Sequence, residues 1–154
     1  MRTNKRLAIA ILASMLLDLP AVQATGAEWQ LVTPAEDARD DAAPHVPQTP
    51  PAVSGAPVIT VKQPDVSHPL HNPMTFDIQF SPAQGATINR STLRVKTGSV
   101  STVTQRLLGH ATWTASGLFA ADADVPTGNH RISVSIADNL GRVGTRVANL
   151  NVLK

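Results

Sequence analysis

Residues 125–152 read VPTGNHRISVSIADNLGRVGTRVANLNV. From position 131 to 136, Arg or Ser alternates with Ile or Val, which is the period of a β-strand with one buried face. Gly128 and Gly141 supply turn conformations on either side, and the Asp138 side chain can accept a hydrogen bond from the backbone two residues further on. The stretch therefore predicts two half-buried strands joined by a tight turn.

The same alternation recurs along the chain from Pro57 onward, in runs at residues 59–62, 75–80, 93–96, 111–115, 119–125, 132–136 and 150–152. About seven short strands without a long helix predict an all-β fold, an antiparallel sandwich of two sheets over residues 57–154. Residues 99–109 fit a short helical turn as well as they fit a strand. The alternation places Phe119 and Ala121 on the apolar side of their strand. The side chains expected between the sheets are Phe76, Ile78, Phe80, Trp113, Ile132, Val134 and Ile136.

The last strands also resemble the end of bacterial immunoglobulin-like modules. The resemblance rests on a Pro-x-Gly-x-His turn, the alternation after it and an Asp-x-x-Gly turn, which match Pro126, Gly128, His130, Asp138 and Gly141. It implies a single immunoglobulin-like β-sandwich, with His130 as an anchoring ring. Those modules more often have Asn where this chain has an Arg at 142. The chain has no Cys and no Tyr, so the disulfide and the tyrosine corner of antibody domains are excluded.

The N-terminus has the composition of a secretory signal peptide. Three basic residues precede an apolar run at positions 7–17, and small residues fit cleavage after Ala24 or Ala27. A membrane-spanning helix needs about 17–25 apolar residues, so this run predicts no membrane anchor. We expect residues 1–27 to be removed and the mature chain to be periplasmic or secreted, and not an integral membrane protein.

The next segment, residues 28–41, has five acids and one Arg. Its Thr33-Pro34-Ala35-Glu36 sequence has the spacing of a capping box, which predicts a short helix from Pro34 to about Asp40. Trp29 and Leu31 offer apolar surface for packing on the domain or on a partner. Residues 42–56 contain four prolines and are predicted to be an extended linker.

The strand phase predicts a basic face on the sandwich. Arg94, Lys96 and Arg131 should point outward from neighbouring strands, and Arg106 is a further candidate. Such a face suits an acidic polymer, an anionic lipid surface or the acidic segment of the chain itself, in which case Trp29 would join the contact. A solvated surface with scattered charge is the alternative. Nucleic acid is disfavoured by secretion and by the shortage of aromatic residues.

A second interpretation is a small periplasmic protein that binds copper or zinc. Asp65, His68 and His71 are spaced three apart, and imidazole and carboxylate are ligands for these metals. Pro69 argues against the helix that would bring such a spacing onto one face, so solvated loop histidines are the alternative. Without this site, no cofactor is expected.

Catalysis is not predicted. The chain lacks Gly-x-Ser-x-Gly, Ser-x-x-Lys and phosphate-cradling glycine motifs. His110 and His130 have no Ser or carboxylate at a recognised motif spacing. The outward Asp122 and Asp124, with Asp138, would form at most a weak calcium site, and solvated charges are the alternative. The sequence therefore predicts a non-catalytic binding or structural module of the cell envelope, whose partner is an envelope protein or a polysaccharide.

Overall fold

The computed structural model describes residues 28–43, 53–99 and 101–154. The predicted signal peptide and residues 44–52 of the predicted linker lie outside the described residues. Within the described ranges, no helix is long and apolar enough to cross a membrane.

The described residues form two short helices and nine strands, mostly in antiparallel pairs. The elements are β1 (Trp29–Gln30), α1 (Pro34–Ala42), β2 (Val58–Gln63), β3 (Met74–Ser81), β4 (Ile88–Thr97), β5 (Ser101–Thr102), α2 (Thr104–His110), β6 (Ala111–Trp113), β7 (Gly117–Asp124), β8 (Gly128–Asp138) and β9 (Val143–Val152). The expectation of an all-β protein with two sheets is confirmed. The stretch that fitted both a helical turn and a strand contains one of each, β5 and α2.

The strands form two sheets. One has the order β1-β7-β3-β2, with β6 also paired to β7, and the other has the order β5-β4-β8-β9. Every pair is antiparallel except β1, which runs parallel to β7. The N-terminal strand thus completes the edge of the first sheet.

Most of the predicted core is confirmed. The apolar residues of β3 and β8 that alternate with polar ones are buried, namely Phe76, Ile78, Phe80, Ile132, Val134 and Ile136. Trp113 lies on the same inner side of its sheet as its register partner, the buried Leu118, so its predicted direction is confirmed. It is only half-buried, however, and packs at the margin of the core. Its ring lies 5.9 Å from the Phe80 ring, and the Arg90 guanidinium carbon lies 4.9 Å from its centroid.

The predicted phase of β7 is wrong for its first half. Phe119 is 42% exposed, whereas its neighbours Leu118 and Ala120 are buried. The cause is a bulge: three residues of β3, from Met74 to Phe76, oppose four of β7, from Ala123 back to Ala120. One extra residue in a strand reverses the side to which every earlier side chain points. Beyond the bulge, Ala123 and the following Val125 are buried as expected.

The segment before the linker packs into the same core. Trp29, Leu31 and Val32 are buried among the sandwich residues. Helix α1 begins as predicted, with the Glu36 N–H donating to Thr33 Oγ1 at 3.3 Å and the Thr33 N–H donating to Glu36 Oε2 at 2.9 Å. It extends two residues beyond the predicted end. Burial of these apolar side chains therefore holds the acidic helix on the domain.

Candidate binding face

The strands that carry the predicted basic residues are neighbours in the second sheet. β4 pairs with β8, so that Arg94 lies opposite Ser135 and Lys96 opposite Ser133. Residues 93, 95 and 97 are buried, and Arg94 and Lys96, which alternate with them, are exposed. Arg131 alternates with the buried His130 and Ile132 of β8, so it lies on the same outward side, half-buried.

β9 extends this face with uncharged side chains. Asn149 lies opposite Arg131, Val147 opposite Ser133, and Thr145 opposite Ser135. Directly opposite residues of antiparallel strands have Cβ atoms about 4.5–5.5 Å apart, so the outward side chains of β4, β8 and β9 form a continuous surface. We call this surface the basic face; its residues are Arg94, Lys96, Arg131, Ser133, Ser135, Thr145, Val147 and Asn149.

The three strands of the basic face contribute no carboxylate to it. The single acid within β4, β8 and β9 is Asp138, which is buried at the end of β8. The basic face is therefore rich in hydrogen-bond donors and carries net positive charge. The Arg94 side chain also donates from Nη1 to the Leu93 carbonyl at 2.8 Å, which holds its guanidinium against the strand.

Asp138 serves the turn between β8 and β9. Its Oδ1 accepts from the Leu140 and Arg142 N–H groups, both at 2.9 Å, and its Oδ2 accepts from Arg142 Nε at 2.7 Å. Burial opposes ionisation, but these hydrogen bonds from Arg142 and Leu140 lower the pKa of Asp138. Arg142, at the position where immunoglobulin-like modules more often have Asn, thus supplies the turn with its own hydrogen bonds, and the oxygens of Asp138 are engaged within the turn.

The acidic segment is held by Arg106, which the sequence indicated only as a further candidate for the basic face. Arg106 donates from Nη1 to Glu36 Oε2 at 2.7 Å and from Nη2 to Oε1 at 2.9 Å, and also from Nη1 to the Leu31 carbonyl at 2.7 Å. The hydrogen bonds from Arg106, helped by those within the capping box, lower the pKa of Glu36 from 4.5 to about 2. Helix α1 is therefore fixed by a bidentate ion pair as well as by its apolar neighbours.

Two further contacts join α1 to the second sheet, where β4 ends and β8 begins. The buried His130 has Nδ1 3.1 Å from Asp37 Oδ1 and Nε2 2.6 Å from the Pro126 carbonyl oxygen. Thr97 Oγ1 donates to Asp40 Oδ2 at 3.0 Å. His130 thus anchors both the turn before β8 and the acidic helix, which agrees with the structural role that the resemblance implied.

The structure does not bring Trp29 to the basic face. Trp29 belongs to the first sheet, where its buried ring donates from Nε1 to the Ala121 carbonyl at 2.8 Å. The ring stacks on His110 with centroids 4.4 Å apart and planes within 4°. The expectation that Trp29 acts with Arg94, Lys96 and Arg131 is therefore wrong, because β1 pairs with β7 of the opposite sheet.

The structure joins two of the three predicted metal ligands. Asp65 Oδ2 lies 2.9 Å from His68 Nδ1, and hydrogen bonds from Ser67, together with that from His68, lower the pKa of Asp65 from 3.8 to about 2. His71 is exposed. Among the residues that the structure describes, no three His, Cys, Asp or Glu side chains are grouped as a metal site would need. Asp65, Ser67 and His68 thus form a hydrogen-bonded turn on the surface.

Comparisons with protein-family models, with curated proteins and with solved structures found no match.

Proposed function

We propose that this protein is a secreted, non-catalytic, immunoglobulin-like module of the cell envelope that binds an acidic polysaccharide on its basic face. The observation that carries the proposal is the common side of Arg94, Lys96 and Arg131 on paired strands. A polymer with regularly spaced carboxylates can contact such a surface at several positions along its length. A protein partner would instead need its carboxylates at one fixed set of positions that matches these three bases.

The strand order supports the immunoglobulin-like part of the proposal. Without the two-residue strands β1 and β5, the first sheet contains β2, β3, β6 and β7, and the second contains β4, β8 and β9. In chain order these are strands one, two, four and five against three, six and seven. Constant-type immunoglobulin domains divide their seven strands in the same way.

The chemistry of the basic face suits weak, repeated contacts. Exposed charge pairs each contribute about 0–1 kcal/mol, so binding depends on several pairs acting together. The uncharged members of the face, Ser133, Ser135, Thr145 and Asn149, add hydroxyl and amide groups that exchange hydrogen bonds with sugar hydroxyls. This combination favours a charged glycan over a simple anion.

The test is a binding titration of the mature chain with polygalacturonate, with neutral dextran as the reference polymer. We expect polygalacturonate to bind and dextran not to bind on this face. Binding should weaken steeply as salt rises, because the Debye length falls from about 30 Å at 0.01 M to about 8 Å at 0.15 M.

The decisive variant is the double charge reversal Arg94→Glu with Lys96→Glu. It should lower the affinity by about tenfold or more, the equivalent of about 1.4 kcal/mol. The matched control is Lys62→Glu with Lys154→Glu, since both lysines are exposed outside the basic face and the change in net charge is the same. Equal losses in the two double variants would show attraction by overall charge only, and would refute the proposal.

A further inference from the structure

A groove lies on the outer side of the first sheet, where β1, α2, β6 and β7 meet. Its volume is about 280 Å³, and its lining residues are Trp29, His110, Thr112, Phe119, Ala121 and Asp122. Small-molecule sites usually measure about 300–1,000 Å³, with mostly apolar and aromatic walls and a few polar groups. The groove is thus slightly smaller than that range, which suits one or two rings of a small ligand.

The inner wall of the groove is rigid. The Trp29 indole is fixed by its hydrogen bond to Ala121 and by the stacked ring of His110. Because the indole N–H is already donated within the protein, Trp29 offers apolar surface and no hydrogen bond to a ligand. His110 itself is exposed, so a ring nitrogen is available at the rim.

Phe119 forms an exposed aromatic platform. It is 42% exposed and is flanked by its register partners on both sides, Thr112 on β6 and Asp77 on β3. An outward Phe between a hydroxyl and a carboxylate contributes nothing to the core, whose apolar side is filled by Leu118 and Ala120. The arrangement therefore combines an apolar ring face with hydrogen-bonding groups on either side.

Asp122 adds a carboxylate held by the bulge. It is the one non-glycine residue with positive φ among the described residues, at φ 56°, a conformation that costs energy and is concentrated at binding and catalytic sites. Bulges are likewise common beside such sites because they redirect a side chain. Here the same bulge turns Phe119 outward and places Asp122 at the groove.

We propose that the groove binds a neutral saccharide. The C–H face of a sugar ring packs on Phe119, while its hydroxyls donate to Asp122 and exchange hydrogen bonds with Thr112 and His110. Asp77 and Asp122 disfavour an anionic ligand. A cationic ligand would need open aromatic faces around it. The Trp29 face is covered by His110, so Phe119 is the one open ring among the residues that line the groove, which disfavours a cation.

This site is independent of the proposed function, because the groove and the basic face belong to opposite sheets. The test is an NMR titration of ¹⁵N-labelled mature protein with cellotetraose, maltotetraose and chitotetraose. At least one of these probes should give saturable shifts at the amides of His110, Thr112, Phe119 and Asp122. Tetramethylammonium chloride is the cationic reference and should leave these amides unchanged.

Variants distinguish a loss of ligand binding in the groove from a general effect of substitution on the fold. Phe119→Ala should weaken saccharide binding by about three- to tenfold. Asp122→Asn, which keeps a residue tolerant of positive φ, should also weaken binding. Leu140→Ala, at an exposed apolar site in the turn after β8, and the Arg94→Glu with Lys96→Glu variant should bind as the unmodified chain does.

Three results would overturn the proposal. They are the absence of saturable shifts with all three oligosaccharides, equal affinity after both groove substitutions, and saturable binding of tetramethylammonium in the groove. Far-ultraviolet circular dichroism of the two groove variants checks that they remain folded. If the unmodified chain gives these oligosaccharide shifts but does not bind polygalacturonate, the proposed function is refuted and this site is left standing.

Discussion

Replacing Arg106 with Ala should weaken the attachment of helix α1 to the sandwich. The substitution removes three hydrogen bonds, two to the Glu36 carboxylate and one to the Leu31 carbonyl. Hydrogen bonds to charged groups are worth about 1.5–3 kcal/mol each, but Arg106 is one-third exposed and Glu36 about one-sixth, so water offsets part of this. We expect the free energy of unfolding to fall by about 2–3 kcal/mol.

Urea denaturation followed by tryptophan fluorescence measures this loss. The matched control is Arg146→Ala on β9, where the side chain is exposed, and it should cost less than about 0.5 kcal/mol. A double-mutant cycle with Glu36→Gln isolates the pair from the general loss of a charge. We expect a coupling free energy of about 1–2 kcal/mol, within the range for residues in direct contact.

The same pair predicts a pH dependence. The pKa of Glu36 is about 2 in the folded protein, below its ordinary 4.5, so the charged carboxylate stabilises the folded state. This contribution is fully present above about pH 4.5 and is lost as pH falls toward 2. The stability difference between the unmodified chain and Glu36→Gln should therefore shrink over that window. Additive single substitutions, or a stability difference that does not change between pH 5 and pH 2, would refute the assigned role of the ion pair.

Three other predictions test the core, the mature start and the metal interpretation. Phe80→Ala should cost about 3–5 kcal/mol by denaturation because it truncates a buried aromatic side chain, while Thr75→Ala on the outward side should cost less than about 0.5 kcal/mol; equal losses would contradict the phase of β3. N-terminal sequencing of secreted material should start at Thr25 or Glu28, and intact Met1 recovered from the periplasm would contradict the signal peptide. If Asp65, His68 and His71 bind copper or zinc, calorimetry should show near-stoichiometric uptake that weakens below about pH 6.5, because imidazole must be neutral to ligate; uptake that persists after His68→Ala with His71→Ala would exclude these ligands.

Features that depend only on residues close together in the sequence could be predicted from it. The capping box spans four positions, from Thr33 to Glu36, and the period of two in β3 and β8 identifies their buried residues without knowledge of the partner strands. The common outward side of Arg94 and Lys96 follows from the same period. These predictions work because the chain itself sets the direction of each side chain relative to its neighbours.

Contacts between distant parts of the chain could not be predicted in the same way. Arg106 and Glu36 are 70 positions apart, and Trp29 and Ala121 are 92 apart. No local pattern shows that β1 runs beside β7, because a two-residue strand has no period to detect. The sequence indicated that Trp29 needs an apolar partner, but the identity of that partner depends on the assembled sheets.

The bulge at Asp122 shows how one residue links the core to the groove. Strict alternation through β7 would keep Ala123 inward and place Phe119 inward as well, opposite the core side chains of β3. The extra residue lets Ala123 and Val125 remain buried while Leu118 and Ala120 replace Phe119 and Ala121 on the inner side. An exposed Phe is unfavourable, and a positive φ costs a non-glycine residue about 1–3 kcal/mol, although Asp and Asn tolerate it better than other residues do. Their occurrence together beside the Trp29–His110 stack is most simply explained by a ligand that uses both.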